Sequence, residues 1–322
     1  MSNASLRVLV AGATGTIGRA TVRQLQERGH DVICLVRHRP GRALPEGWRA
    51  RAVDFADPDL VVRDGVRGET FDAVISCMAS RTGAPDDAWA VDHDAHMNLL
   101  GAARDAGVER FVLLSAICVQ KPRLAFQRAK LAFERALRES DLDWSIVRPT
   151  AYFKSLSGQV DRVLAGKPYL VFGDGRLTAC KPIADEDLAA YLVDCLEHPA
   201  YRNAVLPIGG PGPALTPREQ GELLFELAGL EPRFRRMPVM AMHAAVAVLG
   251  TLGRLVPPLS DKAALARIGR YYATESMLVW DEDADRYDAD ATPEYGHRTL
   301  RDYFRRRIAG DVEDERGEHA VL

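Results

Sequence analysis

The 322-residue chain is short of lysine, of paired cysteines and of long uncharged apolar runs. Six of its 42 basic residues are Lys and the rest Arg, so each lysine is worth locating. No basic block is present, and 45 acidic residues leave a net charge of −3. That balance argues against a nucleic-acid partner. Cys34, Cys77, Cys118, Cys180 and Cys195 are odd in number and contain no C-x-x-C pair. A disulfide framework or zinc site is therefore not expected, and no metal is assigned. The longest uncharged apolar stretch, Val239–Gly253, has 15 residues, whereas a membrane span needs about 20. The N-terminus, MSNASLRVLVAG, enters a strand without the apolar core of a signal peptide or an Arg/Ser-rich transit segment. A cytoplasmic location is expected.

What is there is ordinary globular chemistry: 47% hydrophobic and 27% charged residues, which excludes a disordered or fibrous chain. Leu6–Ala11, Asp31–Val36, Phe71–Cys77, Phe111–Ser115 and Trp144–Val147 read as short buried strands. Helices are expected at Arg19–Glu27, Asp92–Ala106 and Ala125–Arg138, the first stopped by Gly29 and the second by Gly107. Strands alternating with helices at this spacing imply a parallel sheet covered on both faces. The fold class is α/β, a doubly wound parallel-sheet Rossmann fold with a smaller C-terminal substrate-binding region. The expected division is 1–157 for the cofactor domain, with a later strand near 205–208 completing its sheet. Residues 158–310 would be mainly substrate-binding, and 311–322 a flexible tail. Residues 158–182 read as loop, Asp185–Leu196 and Val239–Leu255 as helices, and Thr216-Pro217-Arg218-Glu219 as a capping box.

The main chemical signal is Gly12-Ala13-Thr14-Gly15-Thr16-Ile17-Gly18, which follows a strand and opens a helix. Gly12 permits the turn, Gly15 lets backbone approach a diphosphate, and Gly18 lets helix and strand pack closely. The helix N-terminus, with Thr14, Thr16 and Ile17, supplies N–H groups and the positive dipole end. Arg37 and Arg39 stand at the end of the second strand, where an acid would bond the ribose hydroxyls of NAD. Arg pairs instead with a 2′-phosphate, so NADPH is the expected cofactor. Asp54 and Phe55 are placed beside adenine, and Met78 and Ala79 beside the ribose.

The G-x-x-G-x-x-G spacing resembles extended and atypical members of the short-chain dehydrogenase/reductase superfamily. That superfamily carries Ser and then Tyr-x-x-x-Lys. Here Ser115 and Lys130 stand in register, but the Tyr position is Phe126. A phenyl ring donates no proton, which puts ordinary alcohol–ketone chemistry in doubt. Two readings follow: a dinucleotide-binding sensor or assembly subunit, or a reductase of a conjugated C=C bond. In the second, a large π system delocalises the charge and a weak acid or water completes the step. A nucleotide-sugar epimerase is disfavoured, because it needs the tyrosine.

Longer runs carry a closer resemblance: SAICVQKP (115–122), AFQRAKLAFE (125–134), IVRPTAYFKSL (146–156), LPIGGPGPALTPREQGELLF (206–225) and IGRYYATESMLV (268–279). The chain resembles the 8-vinyl reductases of divinyl chlorophyllide, and F-x-x-x-K belongs to that family's pattern. The resemblance implies NADPH-dependent reduction of the 8-vinyl group of a magnesium tetrapyrrole to ethyl, and the compact N-terminus leads us to expect a phototrophic bacterium as the source. By the same resemblance, Lys130 positions the nicotinamide ribose, and Ser115 and Pro149 line the cofactor site. Tyr152 is a candidate proton donor beside solvent. Phe126, Lys154 and Lys181 are candidate substrate contacts, with either lysine meeting a propionate or lying on the surface.

His93 and His96 with Asp92 and Asp94 look like a metal cluster, but acids opening a helix favour its dipole, so none is assigned. His243 reads as a helix-face residue or a substrate contact. Its stretch, 239–253, reads as core, as a methionine-lined macrocycle pocket, or as a peripheral contact with pigment membranes. The oligomeric state is left open.

Overall fold

The computed structural model describes residues 5–37, 45–252 and 258–312. Arg39, expected at the 2′-phosphate, lies outside the described residues, as do Gly253 and 313–322 of the expected tail. The chain begins with β1 (Arg7–Ala11), α1 (Thr16–Glu27), β2 (Asp31–Val36), β3 (Ala50–Ala52) and β4 (Ala73–Ser76). There follow α2 (Ala95–Asp105), β5 (Arg110–Leu114), α3 (Ala125–Arg138), β6 (Asp143–Pro149) and β7 (Tyr169–Phe172). Next are α4 (Asp185–Glu197), β8 (Ala204–Ile208), α5 (Pro217–Ala228), β9 (Phe234–Met237), α6 (Val239–Leu252) and α7 (Pro258–Thr274). A hairpin of β10 (Val279–Asp281) and β11 (Arg286–Asp288) precedes α8 (Leu300–Ala309).

Seven strands form one sheet in the order β3-β2-β1-β4-β5-β6-β8. Every register from β3 across to β6 is parallel. The order reverses at β1, which pairs with β2 on one side and β4 on the other. In open α/β sheets that switch point, at the carboxyl ends of the strands, is where ligands bind. β4 is buried at all four positions and β1 at four of five, which is why these strands read as continuous apolar runs.

The chain divides into two compact units. The first comprises Met1–Ser80, Pro85–Arg148 and Asp185–Leu206. Its core sets Leu9, Leu35, Val74 and Phe111 of the sheet with Leu99 of α2 and Phe133 of α3. Each such side chain contributes about 1.5–3 kcal/mol when buried. α1 stops where Gly29 turns to φ +83° and His30 N–H returns to the Leu25 carbonyl. Its C-cap, Arg28, reaches Asp194 (2.7 Å) and Glu197 (3.0 Å) of α4. The second unit comprises Arg81–Ala84, Pro149–Ala184 and Pro207–Leu322. Its core gathers Phe153, Val163, Tyr169, Phe225, Leu300 and Phe304. α5 carries the expected capping box: the Thr216 hydroxyl accepts from Glu219 N–H, and the Glu219 carboxylate accepts from Thr216 N–H at 2.8 Å. Such a cap is worth about 1 kcal/mol.

Three elements differ from the sequence reading. The strand expected to stop before Arg148 runs to Pro149, because a proline at a strand's last residue forfeits only one ladder donor. The helix expected from Asp92 becomes α-helical only at Ala95, after a π-helical turn at Trp89–Asp94. The stretch 158–182 holds a short helix, Val160–Leu164, and β7, which pairs in parallel with β9. A four-residue strand whose partner lies far along the chain leaves no local period to read.

Candidate active site

The glycine loop lies at the switch point. Gly12 turns out of β1 with φ +74°, and a Cβ there would lie 2.6 Å from the carbonyl carbon of Cys77. That contact packs the loop against Cys77 and Met78, which follow β4. Gly15 N–H donates to the Gly12 carbonyl at 3.0 Å, and the Arg19 guanidinium holds the Thr14 carbonyl at 3.0 Å. A side chain at Gly18 would overlap the Gly12 carbonyl oxygen, so α1 touches the loop only because position 18 is bare. Gly15 caps α1 in an extended conformation with no side-chain cap, and the first turn, from Thr16 through Ile17, holds no acid. An anion there meets no acid in the first turn of the helix, whose N-terminus presents main-chain N–H donors. The loop therefore fits the diphosphate of a dinucleotide.

The other residues expected on the adenosine side follow the ends of β2, β3 and β4, on the same edge of the sheet. Arg37 is exposed immediately after β2. Asp54 is exposed and accepts Ala56 N–H at 3.0 Å, while Phe55 is buried and its carbonyl accepts Asn98 Nδ2 of α2 at 2.9 Å. Met78 is buried and Ala79 exposed.

The catalytic end is built differently from the usual triad. Phe126 is buried at the start of α3, one turn before Lys130. The Lys130 ammonium lies 3.0 Å from Asp92 Oδ1, both side chains being less than a tenth exposed. Asp92 Oδ1 also accepts Ser80 N–H at 3.3 Å, while Oδ2 is buried without a hydrogen-bond partner. His96 stands one turn further on. Its Nδ1 lies 2.8 Å from the Val91 carbonyl and its Nε2 3.0 Å from Ser76 Oγ. A carbonyl only accepts, so Nδ1 carries the proton and Nε2 accepts from the serine. Burial pushes this imidazole down to about 4; the Lys130 charge adds to the effect and Asp92 opposes it.

Ser115 does not face an open site with its hydroxyl. Its Oγ donates to Glu134 Oε1 at 2.6 Å, and its N–H donates to the Val147 carbonyl. Glu134 is fully buried and also accepts from the Arg148 guanidinium, with Nε at 3.2 Å from Oε1 and a second N–H on Oε2. Glu134 and Arg148 were not singled out in the sequence. The signal was there: Glu134 falls one turn after Lys130 on the same inward face of α3.

In the second unit, Pro149 ends β6, and Tyr152 caps the short helix Phe153–Leu156 and bridges to Ile183. Lys154 is half-buried on that helix. Lys181, expected at a site mouth, is buried, its ammonium 2.6 Å from Glu294 and 3.3 Å from the Thr292 carbonyl. The cause is local: Lys181 Nζ neutralises a carboxylate that also accepts Gly212 N–H, stapling the glycine-rich loop that follows β8. His243 is exposed on α6, where Met240 is 73% exposed. Asp92, expected as an acid opening a helix, is a buried partner of Lys130. Among the described residues, no group of three His, Cys, Asp or Glu side chains is arranged to hold a metal ion.

Residues 12–199 match the model of an NAD(P)H-binding family. The chloroplastic divinyl chlorophyllide a 8-vinyl-reductase of Oryza sativa subsp. indica is 48% identical, over 98% of this chain and 82% of that protein. The chain belongs to the divinyl chlorophyllide a 8-vinyl-reductase family. A weaker likeness, 28% identity over 74% of this chain and 72% of that protein, links it to the photosystem II assembly factor Ycf39 of Synechocystis. Among solved structures, the NADPH-dependent quinone oxidoreductase QOR2 of Escherichia coli superposes with a TM-score of 0.65. At 17% identity, over 94% of this chain and 99% of that one, it shows the shared fold alone.

Proposed function

We propose that this chain uses NADPH to reduce the 8-vinyl group of a divinyl chlorophyllide, or its protochlorophyllide counterpart, to an ethyl group. The observation that carries the reading is the 48% identity to a named 8-vinyl-reductase along nearly the whole chain. The local chemistry agrees with it. When bound, NADPH supplies the hydride. Gly12, Thr14, Gly15, Thr16, Ile17 and Gly18 hold the diphosphate, and Arg37 faces the 2′-phosphate. Asp54 and Phe55 flank adenine, and Met78, Ala79, the Ser115 carbonyl and Pro149 line the rest of the cofactor. Lys130 donates hydrogen bonds to the nicotinamide ribose.

Hydride addition to a vinyl group conjugated with a macrocycle leaves charge spread over the π system rather than on one atom. A strong, closely placed acid then matters less, which suits a site with Phe126 at the usual donor position. Solvent is the proposed proton source, with Tyr152 as the protein alternative. Phe126, Lys154 and His243 are proposed substrate contacts. Lys181 meets a propionate only by exchanging Glu294 for it. Residues 1–157, with the strand Ala204–Ile208 completing the sheet, are assigned to the cofactor, and the rest of 158–310 mainly to the tetrapyrrole. The protein is placed in the cytoplasm beside pigment membranes.

The test is incubation of purified protein with NADPH and 3,8-divinyl chlorophyllide a, followed by pigment chromatography. An 8-ethyl product is expected. Saturable NADPH binding without product would sink the proposal and favour a sensor or assembly role, towards which the weaker likeness to an assembly factor points.

A further inference from the structure

α6 turns apolar side chains to water. Its 14 residues hold no acid, lysine or arginine, and His243 is their one ionisable side chain. A helix at a protein surface normally carries charge on its outer face. Here one side packs on α7, with Val246 buried, while Met240, Ala241, His243, Ala244, Ala247 and Val248 are exposed. An exposed apolar face of that kind marks a contact with a partner or ligand. Two features identify the ligand's chemistry. His243 has no hydrogen-bond or ion-pair partner among the described residues, and Ala244 and Ala247 beside it are too small to cover its ring. Arg235 and Arg236, exposed on β9 just before α6, make no ion pair among the described residues, and no acid occurs from 232 through 260. His243 stands about 6 Å along the helix axis from Val239. Its side chain leans back towards the N-terminal end, which those arginines precede. The face therefore suits a flat apolar ligand with an anionic edge and an electron-pair acceptor at its centre. A lipid surface accounts for the apolar and basic side chains, but not for an unpartnered nitrogen donor among them.

We propose that this face of α6 seats the magnesium tetrapyrrole, with His243 as the axial ligand of its magnesium and the Arg235–Arg236 pair facing its carboxylate. The proposal rests on the reading that the substrate is a divinyl chlorophyllide or protochlorophyllide. In such a pigment the ring nitrogens hold the magnesium in the plane, and an axial position stays open to a Lewis base. The lone pair of a neutral imidazole enters that position and displaces water; no proton or electron is transferred. Magnesium generally prefers oxygen donors, but the exposed residues of this face carry none on their side chains. Charge-assisted hydrogen bonds from guanidinium to carboxylate then set which edge of the ring points towards β9. His243 becomes a substrate-binding residue with a defined ligand atom, the magnesium.

The experiment titrates the full chain with divinyl chlorophyllide a and with its magnesium-free counterpart, divinyl pheophorbide a, followed by absorption and fluorescence. NADP+ is present to fill the cofactor site without turnover. The magnesium pigment is expected to bind about tenfold tighter than the free base, with the band shift that imidazole gives the same pigment in solution. His243→Leu, which keeps the face apolar, should abolish both the preference and the shift while leaving NADP+ affinity unchanged, a check on folding. Added imidazole should restore the shift in His243→Ala. Arg235→Gln with Arg236→Gln should weaken both pigments alike, by about threefold, and leave their methyl esters unaffected. Equal affinity for the two pigments, or a band shift that survives in His243→Leu, overturns the proposal. So does a His243→Leu protein that loses both pigments equally, which would make the face an apolar contact only. A shift that depends on His243, without 8-ethyl product when NADPH replaces NADP+, sinks the reductase reading and leaves the seat standing. Unchanged KM for the pigment in His243→Leu sinks the seat and leaves the reaction standing.

Discussion

Glu134 decides what Ser115 can do. With the serine hydroxyl donating to a fully buried carboxylate, Ser115→Ala should change kcat less than about tenfold, where loss of a true oxyanion donor costs about 10²–10³. It should instead lower stability by about 1–2 kcal/mol, read from urea unfolding. A large kcat loss with unchanged stability would show that the hydroxyl leaves Glu134 during turnover. His96 gives a second prediction. Its folded pKa, about 4, lies below the ordinary 6.5, so the folded state binds fewer protons than the unfolded chain between those values. Stability from this site is fully present above about pH 6.5 and is lost as pH falls towards 4, by at most about 1.4 kcal/mol per pH unit. His96→Gln should flatten that slope in unfolding measured across the same range. Unchanged slope would mean that His96 does not bind protons differently in the two states. At this scale the sequence was only partly legible. It marked Lys130 and Phe126 by their spacing, but it could not show that Asp92 turns inward or that Glu134 accepts the Ser115 hydrogen bond. Those facts depend on which residues from separate elements meet.

The glycine loop with α1 is the element most legible in sequence, because strand, turn and helix are consecutive and each glycine answers a local need. Gly18→Ala places a methyl group against the Gly12 carbonyl and should weaken NADPH more than tenfold, or about 1.4 kcal/mol, in a fluorescence titration. Retained affinity would mean that the helix can move away from the loop. Arg37→Ala tests cofactor choice at the end of β2. NADPH should weaken far more than NADH, and an equal loss of both would refute a 2′-phosphate contact. By contrast, β7 and β9 were invisible in advance. Their parallel pairing joins Tyr169 to Phe234 and is set by burial against α5, where Gly221 leaves room for the Phe234 ring. The capping box at Thr216 announced α5, but nothing near it announced the strand that follows.

Across the whole molecule, charge is unevenly spread. Residues 233–274 carry seven basic residues and one acidic, a net of +6 in a chain whose total is −3. The same region exposes Met240 (73%), Val248 (57%) and Leu265 (50%), and no described helix is long and apolar enough to cross a membrane. A peripheral contact therefore predicts that vesicles containing anionic lipid retain the protein, that salt releases it, and that Met240→Glu weakens retention. Binding indifferent to lipid charge would contradict it. The fold class was legible at this scale because strand and helix runs alternate along the first half. The substrate was legible only through resemblance, since a tetrapyrrole leaves no short motif comparable to a diphosphate loop. The most direct test of the central claim follows the hydride. NADPH labelled with deuterium at nicotinamide C4, prepared separately on each face, is turned over with 3,8-divinyl chlorophyllide a, and the pigment is examined by mass spectrometry. One of the two labelled cofactors should deliver a single deuterium to the new 8-ethyl group. Product formed without label from either cofactor would contradict direct transfer from the site built around Lys130.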